Sequence, residues 1–152
     1  MINILMVDDH AIVREGLSRI INDTTKISIT AEAATGEEAI KKINTQNFDL
    51  VLLDISMPGM NGLQTLKEIK KINKKIPVLM LSMHAEEQYA MRAIKAGASG
   101  YLTKDSASDM LVKAIEKIYN GKKFISQGVA ALLVSDIYNN EDKKPHEYLS
   151  DR

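Results

Sequence analysis

Five side chains scattered between positions 8 and 104 carry the chemistry this sequence offers: the carboxylates of Asp8, Asp9 and Asp54, the hydroxyl of Ser82 and the ammonium of Lys104. Three carboxylates brought together repel one another and call for a cation. An all-oxygen donor set favours a hard divalent ion, Mg²⁺ above all, which keeps several waters and takes few carboxylates. Such an ion, beside an ammonium and a hydroxyl, makes a site for a phosphoryl group. The metal and Lys104 would offset charge on the equatorial oxygens while an aspartate attacks in line to form an aspartyl phosphate. Asp54 is the expected nucleophile, because it closes a central apolar run and faces the other groups. Taken singly, each residue has an ordinary explanation: Asp9 as a helix N-cap, Ser82 as a polar strand end, Lys104 as a solvated charge. Their convergence depends on the elements that carry them.

Those elements alternate. Ile2–Val7 is a short run of branched apolar residues, the pattern of a strand buried on both faces, and Val13, Leu17, Ile20 and Ile21 then recur at helical spacing. Ile27–Ala33 reads as a second strand. Thr35-Gly36-Glu37-Glu38 follows as a capping box opening a helix with Ala39, Ile40 and Ile43 inward. Leu50–Leu53 is a third strand, closed by Asp54 and a turn-rich stretch, after which Leu63, Leu66, Ile69 and Ile72 mark a third helix. Lys70, Lys71, Lys74 and Lys75 at its end read as a solvated terminus complementing the helix dipole. Pro77–Leu81 gives a fourth strand ending at Ser82, and Glu86–Ala96 a fourth helix with Ala90, Ala93 and Ile94 inward, stopped by Gly97. Gly100–Thr103 gives a fifth strand ending at Lys104. Ser106 is the expected cap of a last helix lined by Leu111, Ala114, Ile115 and Ile118 and ended by Asn120-Gly121. Five strands alternating with five helices predict an α/β fold with a five-stranded parallel, doubly wound sheet. In such a sheet all strands end on one edge, where ligands bind, so the acids, Ser82 and Lys104 converge there. Beyond Gly121, Ser126–Tyr138 predicts a linker helix with Val129, Leu132, Leu133 and Ile137 on one face, and Asn139–Arg152 is polar and aperiodic.

Composition narrows the alternatives. The chain has 152 residues, no cysteine, 20 basic and 20 acidic side chains, and 45% apolar residues. That length suits one domain plus a tail, and a chain of about 150 residues buries roughly 70% of its unfolded surface without disulfides or a structural metal. Thiol catalysis and thiolate zinc sites are excluded. The apolar runs fall far short of the 18 or so residues that span a bilayer, and no signal-peptide pattern opens the sequence. Balanced charge argues against a general polyanion binder. A soluble, cytoplasmic protein with one core and no membrane partner is the expectation.

Asp8-Asp9, the run Leu53-Asp54-Ile55-Ser56-Met57-Pro58-Gly59-Met60-Asn61-Gly62, Ser82, and Gly97-Ala98-Ser99-Gly100-Tyr101-Leu102-Thr103-Lys104 together strongly resemble the receiver domain of bacterial response regulators. The resemblance covers residues 1 to about 121, and four ordered motifs make it specific. Val7-Asp8-Asp9-His10-Ala11-Ile12-Val13-Arg14-Glu15-Gly16-Leu17 and Tyr101-Leu102-Thr103-Lys104-Asp105 look like the NarL/FixJ branch, whose members carry a C-terminal, LuxR-type helix-turn-helix domain. The resemblance implies a flavodoxin/CheY-like strand order, 2-1-3-4-5, for which a receiver protein is itself a standard example. It further implies a two-component regulator that accepts a phosphoryl group on Asp54 from a sensor histidine kinase. Asp9, Asp54 and the Ser56 backbone carbonyl would ligate Mg²⁺, with Asp8 assisting. Lys104 and the Ser82 hydroxyl would hold phosphoryl oxygens, and Tyr101 would be the rotating aromatic of a Ser82–Tyr101 switch. Implied partners are the kinase, a homodimer on phosphorylation, and promoter DNA through a domain missing from these residues. Residues 1–121 would be the receiver and 122–152 a linker helix with the start of a truncated helix-turn-helix domain. One departure is Asp105, where many receivers have proline: a cis bond before a non-proline residue costs about 3–4 kcal/mol, so a cis Lys104–Asp105 bond does not carry over.

Two other classes fit less well. A metal-dependent phosphatase with an aspartyl-phosphate intermediate needs a second acid two residues after the nucleophile, where Ser56 stands. A nucleotide-binding domain needs a Gly-rich turn after the first strand, where Asp8-Asp9-His10 stands. A signalling module rather than an enzyme is therefore expected. His10 is assigned to the first turn of helix one, because neutral imidazole is a poor companion for hard Mg²⁺. His84 is either an exposed loop residue or, as the resemblance implies, one that tunes the lifetime of the phosphoryl group. The eight methionines are dispersed and read as adaptable fillers.

Overall fold

The computed structural model describes residues 1–137 apart from 56, 58, 84–86, 127 and 136. The order is β1 (Ile2–Val7), α1 (Ala11–Asn22), β2 (Ile27–Ala33), α2 (Gly36–Thr45), β3 (Leu50–Asp54), α3 (Gly62–Ile72), β4 (Val78–Ser82), α4 (Glu87–Lys95), β5 (Gly100–Thr103) and α5 (Ala107–Tyr119). The strands form one parallel sheet in the order β2-β1-β3-β4-β5, the flavodoxin/CheY-like arrangement. Among the described residues no helix is long and apolar enough to cross a membrane.

Alternation along the strands divides the core. Leu5, Val7, Val51, Leu53, Val78 and Met80 point to one side, against Ala39 of α2, Leu66 and Ile69 of α3, and Ala90 and Ala93 of α4. Ile4, Met6, Leu50, Leu52, Leu79 and Leu81 point to the other, against Leu17 and Ile21 of α1 and Leu111, Ala114, Ile115 and Ile118 of α5. Covering both faces is why β3 and β4 read as unbroken apolar runs, every residue buried. Only Ile27 and Ala33 are buried along the edge strand β2. A register irregularity between Ile4 and Leu5 moves the pairing from Ile29 to Ala31, and Asp8 N–H then donates to Ala33 C=O (3.0 Å), anchoring the exit of β1.

Several local expectations are corrected. Thr35 caps α2 by accepting from Glu38 N–H (3.1 Å), but Glu38 reaches past the cap and accepts from Ala34 N–H (2.7 Å). The complete capping box lies at α3, where Asn61 and Gln64 exchange side-chain-to-backbone bonds. Ser106 makes no side-chain cap to α5, because its backbone is helical (φ −84°, ψ −9°) rather than extended; its hydroxyl accepts from Thr103 Oγ1 (3.0 Å). Ile72 is 41% exposed, since α3 ends there and its last turn leaves the core. Lys70 is not a solvated terminus. Its ammonium donates to Ile76 C=O and Lys74 C=O, and its methylenes fill the space beside Gly97, whose φ of +112° ends the α4 turn. Burial first, and nearby Lys123 second, hold its pKa below the ordinary value of 10.5. Residues 128–135 are helical, with Val129 buried and Leu133 packed on the core, but Ile137 is 58% exposed and does not share that face. The segment Asn139–Arg152 lies outside the described residues.

Candidate functional site

Parallel pairing puts the strand ends together. Asp54 closes β3 opposite Leu81 of β4, and Ser82 closes β4 opposite Thr103 of β5. Asp8 and Asp9 leave β1 beside β3, whose register pairs Val7 with Leu53. Lys104 follows β5, and its N–H donates to Ser82 C=O (2.8 Å). Asp8 and Asp54 are each 1% exposed and Ser82 5%, which is unusual for carboxylates unless something offsets their charge. Lys104 offers part of that offset: its Nζ lies 3.0 Å from Asp8 Oδ2 and 3.4 Å from Asp54 Oδ2.

One ammonium does not neutralise three carboxylates. Ligand atoms of Asp8, Asp9, His10 and Asp54 lie within 4.8 Å of one another, and the buried Asp8 Oδ2 and Asp9 Oδ1 have only ion-pair contacts, with Lys104 Nζ and His10 Nδ1. A compact cluster of three carboxylates with excess negative charge fits a hard divalent cation. Ser56, expected to add its carbonyl, lies outside the described residues, as does His84.

The loop after Asp54 is shaped by backbone packing. Ile55 N–H donates to Leu81 C=O (2.9 Å), and Gly62 N–H donates back to Ile55 C=O (3.0 Å). A Cβ on Gly62 would sit 2.5 Å from Asp54 C=O, so only glycine lets α3 start so close to the acid. Gly59, at φ +70°, turns the loop before it. The Lys104–Asp105 bond is trans, since no cis peptide occurs among the described residues, and Lys104 still reaches both acids.

Two neighbours take places that the sequence reading did not give them. His10 is the N-cap residue of α1 rather than part of its first turn, and Asp9 is not the cap. The His10 N–H donates to Asp8 Oδ1 (2.9 Å), and its Nδ1 lies 3.0 Å from Asp9 Oδ1, so the imidazole turns toward the acids. Arg14, one turn on, donates from Nη1 to Asp8 C=O and from Nε to Glu32 Oε1 (2.9 Å), tying the β1 exit to β2. Its position in the first full turn after an acid pair is the only sequence signal for that role. Tyr101 lies on β5 facing α4, packed against the cluster that holds Ala90.

Residues 4–116 match the model of the response regulator receiver domain. All of the chain aligns with 70% of the response regulator UvrY of Escherichia coli strain K12, at 38% identity over 153 residues. It aligns likewise with 71% of the response regulator GacA of Pseudomonas protegens, at 33% identity. Among solved structures, a two-component response regulator of the LuxR family from Aurantimonas sp. SI85-9A1 superimposes with a TM-score of 0.82 and 35% identity, covering 91% of this chain and 99% of that one.

Proposed function

The chain belongs to the response regulator receiver family, and from that premise we propose that Asp54 is its phosphoacceptor, supplied by a sensor histidine kinase. The observation that carries this reading is the Lys104 ammonium lying between the buried carboxylates of Asp8 and Asp54 at the strand ends. An Asp54 oxygen attacks phosphorus in line, the bond from phosphorus to the kinase imidazole breaks, and the bonding pair stays on that nitrogen, so the ring, protonated on its other nitrogen, leaves as neutral imidazole. Lys104 offsets charge on the phosphoryl oxygens, and the Ser82 hydroxyl donates to one of them. Asp8, Asp9, Asp54 and the Ser56 carbonyl would hold Mg²⁺, which supplies further charge neutralisation there when bound. The domain is a signalling module that promotes its own phosphorylation and dephosphorylation rather than an enzyme acting on other substrates.

Loading Asp54 draws Ser82 inward and leaves room for Tyr101 to follow, altering the surface of α4 and β5 by population shift. Residues 1–121 are the receiver, and the segment after it, helical over 128–135, leads to a helix-turn-helix domain. The receiver belongs to a cytoplasmic two-component regulator that controls transcription by binding promoter DNA through that further domain, with homodimerisation following phosphorylation. Net charge over the 152 residues is zero, so these residues bring no overall positive charge to hold DNA phosphates in place of that domain. Acetyl phosphate with Mg²⁺ is expected to add one phosphoryl group by intact mass, and Asp54→Asn to abolish it. An unchanged adduct on the variant would place the acceptor elsewhere.

A further inference from the structure

After α5 the chain turns back onto the sheet. Phe124 N–H donates to Ser99 C=O (3.0 Å), and Tyr101 N–H donates to Phe124 C=O (3.1 Å), a parallel bridge opposite Gly100 that covers the outer edge of β5. The approach requires glycine, since a Cβ on Gly100 would lie 2.9 Å from Phe124 C=O. Side chains alternate as in a strand: Phe124 packs on the α1/α5 side and Ile125 on the α4 side, with Tyr101. The Lys117 ammonium lies 5.9 Å from the centre of the Phe124 ring. Ser126 Oγ then accepts from Val129 N–H (3.2 Å), opening the helix that seats Val129 and Leu133 against the core cluster containing Ala90. Beside this attachment a groove of about 340 Å³, open to solvent, lies between Ala90, Tyr101, Met110, Ile125 and Val129.

We infer that residues 124–126 and 128–135 are an internal ligand of the α4–β5 face, seated while Asp54 is unmodified and loosened when it is phosphorylated. The inference rests on the phosphoacceptor reading above and adds the element on which the switch acts. Tyr101 joins the two, because its amide holds Phe124 while its side chain lines the groove beside Val129. It also stands two residues before Thr103, which pairs with Ser82. An inward turn of the ring withdraws the wall on which Ile125 and Val129 rest. It widens that groove, so Ile125 and Val129 lose their packing against the ring. Segments held by few buried contacts open first, and any partner that uses the α4–β5 face must displace this one.

Amide exchange by ¹H–¹⁵N NMR on the full 152-residue chain, with and without beryllofluoride and Mg²⁺, tests this, and ¹⁹F NMR reports occupancy of Asp54 independently. With a bound fluoride resonance present, the amides of Tyr101, Phe124 and Val129 are expected to exchange at least tenfold faster, while Leu5 in β1 stays unchanged. Val129→Asp, or the milder Val129→Ala, should reproduce that acceleration without beryllofluoride. Bound fluoride with unchanged or slower exchange at these amides would overturn the inference while leaving the acceptor reading intact. Absence of any bound resonance would refute both together. Acceleration appearing only at concentrations where the chain dimerises would assign the effect to a second copy and overturn the internal-ligand reading.

Discussion

Asp54→Asn should stabilise the metal-free protein, although it removes the proposed functional group. Asn keeps the shape of Asp, so no cavity forms, and the change is one of charge. Asp54 faces Asp8 and Asp9 within 4.8 Å and Lys104 at 3.4 Å. Taken at the full 4.8 Å and an effective dielectric of about 20, each repulsion amounts to about 3.5 kcal/mol, and the attraction to about 5 kcal/mol. Removing the carboxylate therefore relieves about 2 kcal/mol net, roughly 5–10 °C in Tm for a domain of this size. Thermal unfolding followed by circular dichroism in EDTA measures it. Repeating the scan with Mg²⁺ should raise the wild type more than the variant, because stabilisation by a ligand grows with the logarithm of its affinity for the folded state, and the variant has lost an anionic donor. A variant that melts at or below the wild type in EDTA would refute the argument that carboxylate repulsion dominates this cluster. Equal Mg²⁺ shifts in both proteins would refute the placement of the cation beside Asp54.

Lys104→Met takes away the ammonium set between two buried carboxylates, so urea unfolding in EDTA should show a loss of about 3 kcal/mol, with Mg²⁺ recovering more than it does in the wild type. Gly62→Ala puts a methyl group against the backbone of Asp54 and Ile55 and should cost about 2 kcal/mol or more by the same measurement. Lys70 has its pKa lowered by burial, so the unfolded chain binds its proton more tightly. The burial penalty is fully present below the folded pKa and fades as pH rises toward 10.5. Lys70→Met should flatten that rise, seen as a stability difference from the wild type that changes between neutral and alkaline pH.

Most of the frame was legible because it repeats locally. The five strands and five helices follow from apolar period, and double-faced burial of β3 and β4 follows from uninterrupted runs such as Leu50–Leu53. Given parallel strands, the meeting of Asp8, Asp9, Asp54, Ser82 and Lys104 at one edge needs only their positions at strand ends. Other features depend on contacts between distant residues. The box of Asn61 and Gln64 was hidden in a turn-rich stretch, because Asn serves turns and caps alike. Lys70 sits in a run of lysines that looks uniformly solvated, and only the approach of Gly97, brought by the α4–β5 connection, turns its stem inward. The Arg14 link to Asp8 and Glu32 depends on β1 lying beside β2.

The return of Phe124 to the edge of β5 was beyond sequence reading for a more general reason. Its two bonds join backbone groups that almost every residue carries, so no residue type announces the pairing. The sequence determined which side chains stand at strand ends and which faces are apolar, because period and punctuation are local properties of the chain. Tertiary structure decided which of those faces the last segment covers, and that Tyr101 lies beneath it, because backbone pairing and groove shape exist only once the sheet has closed around its core.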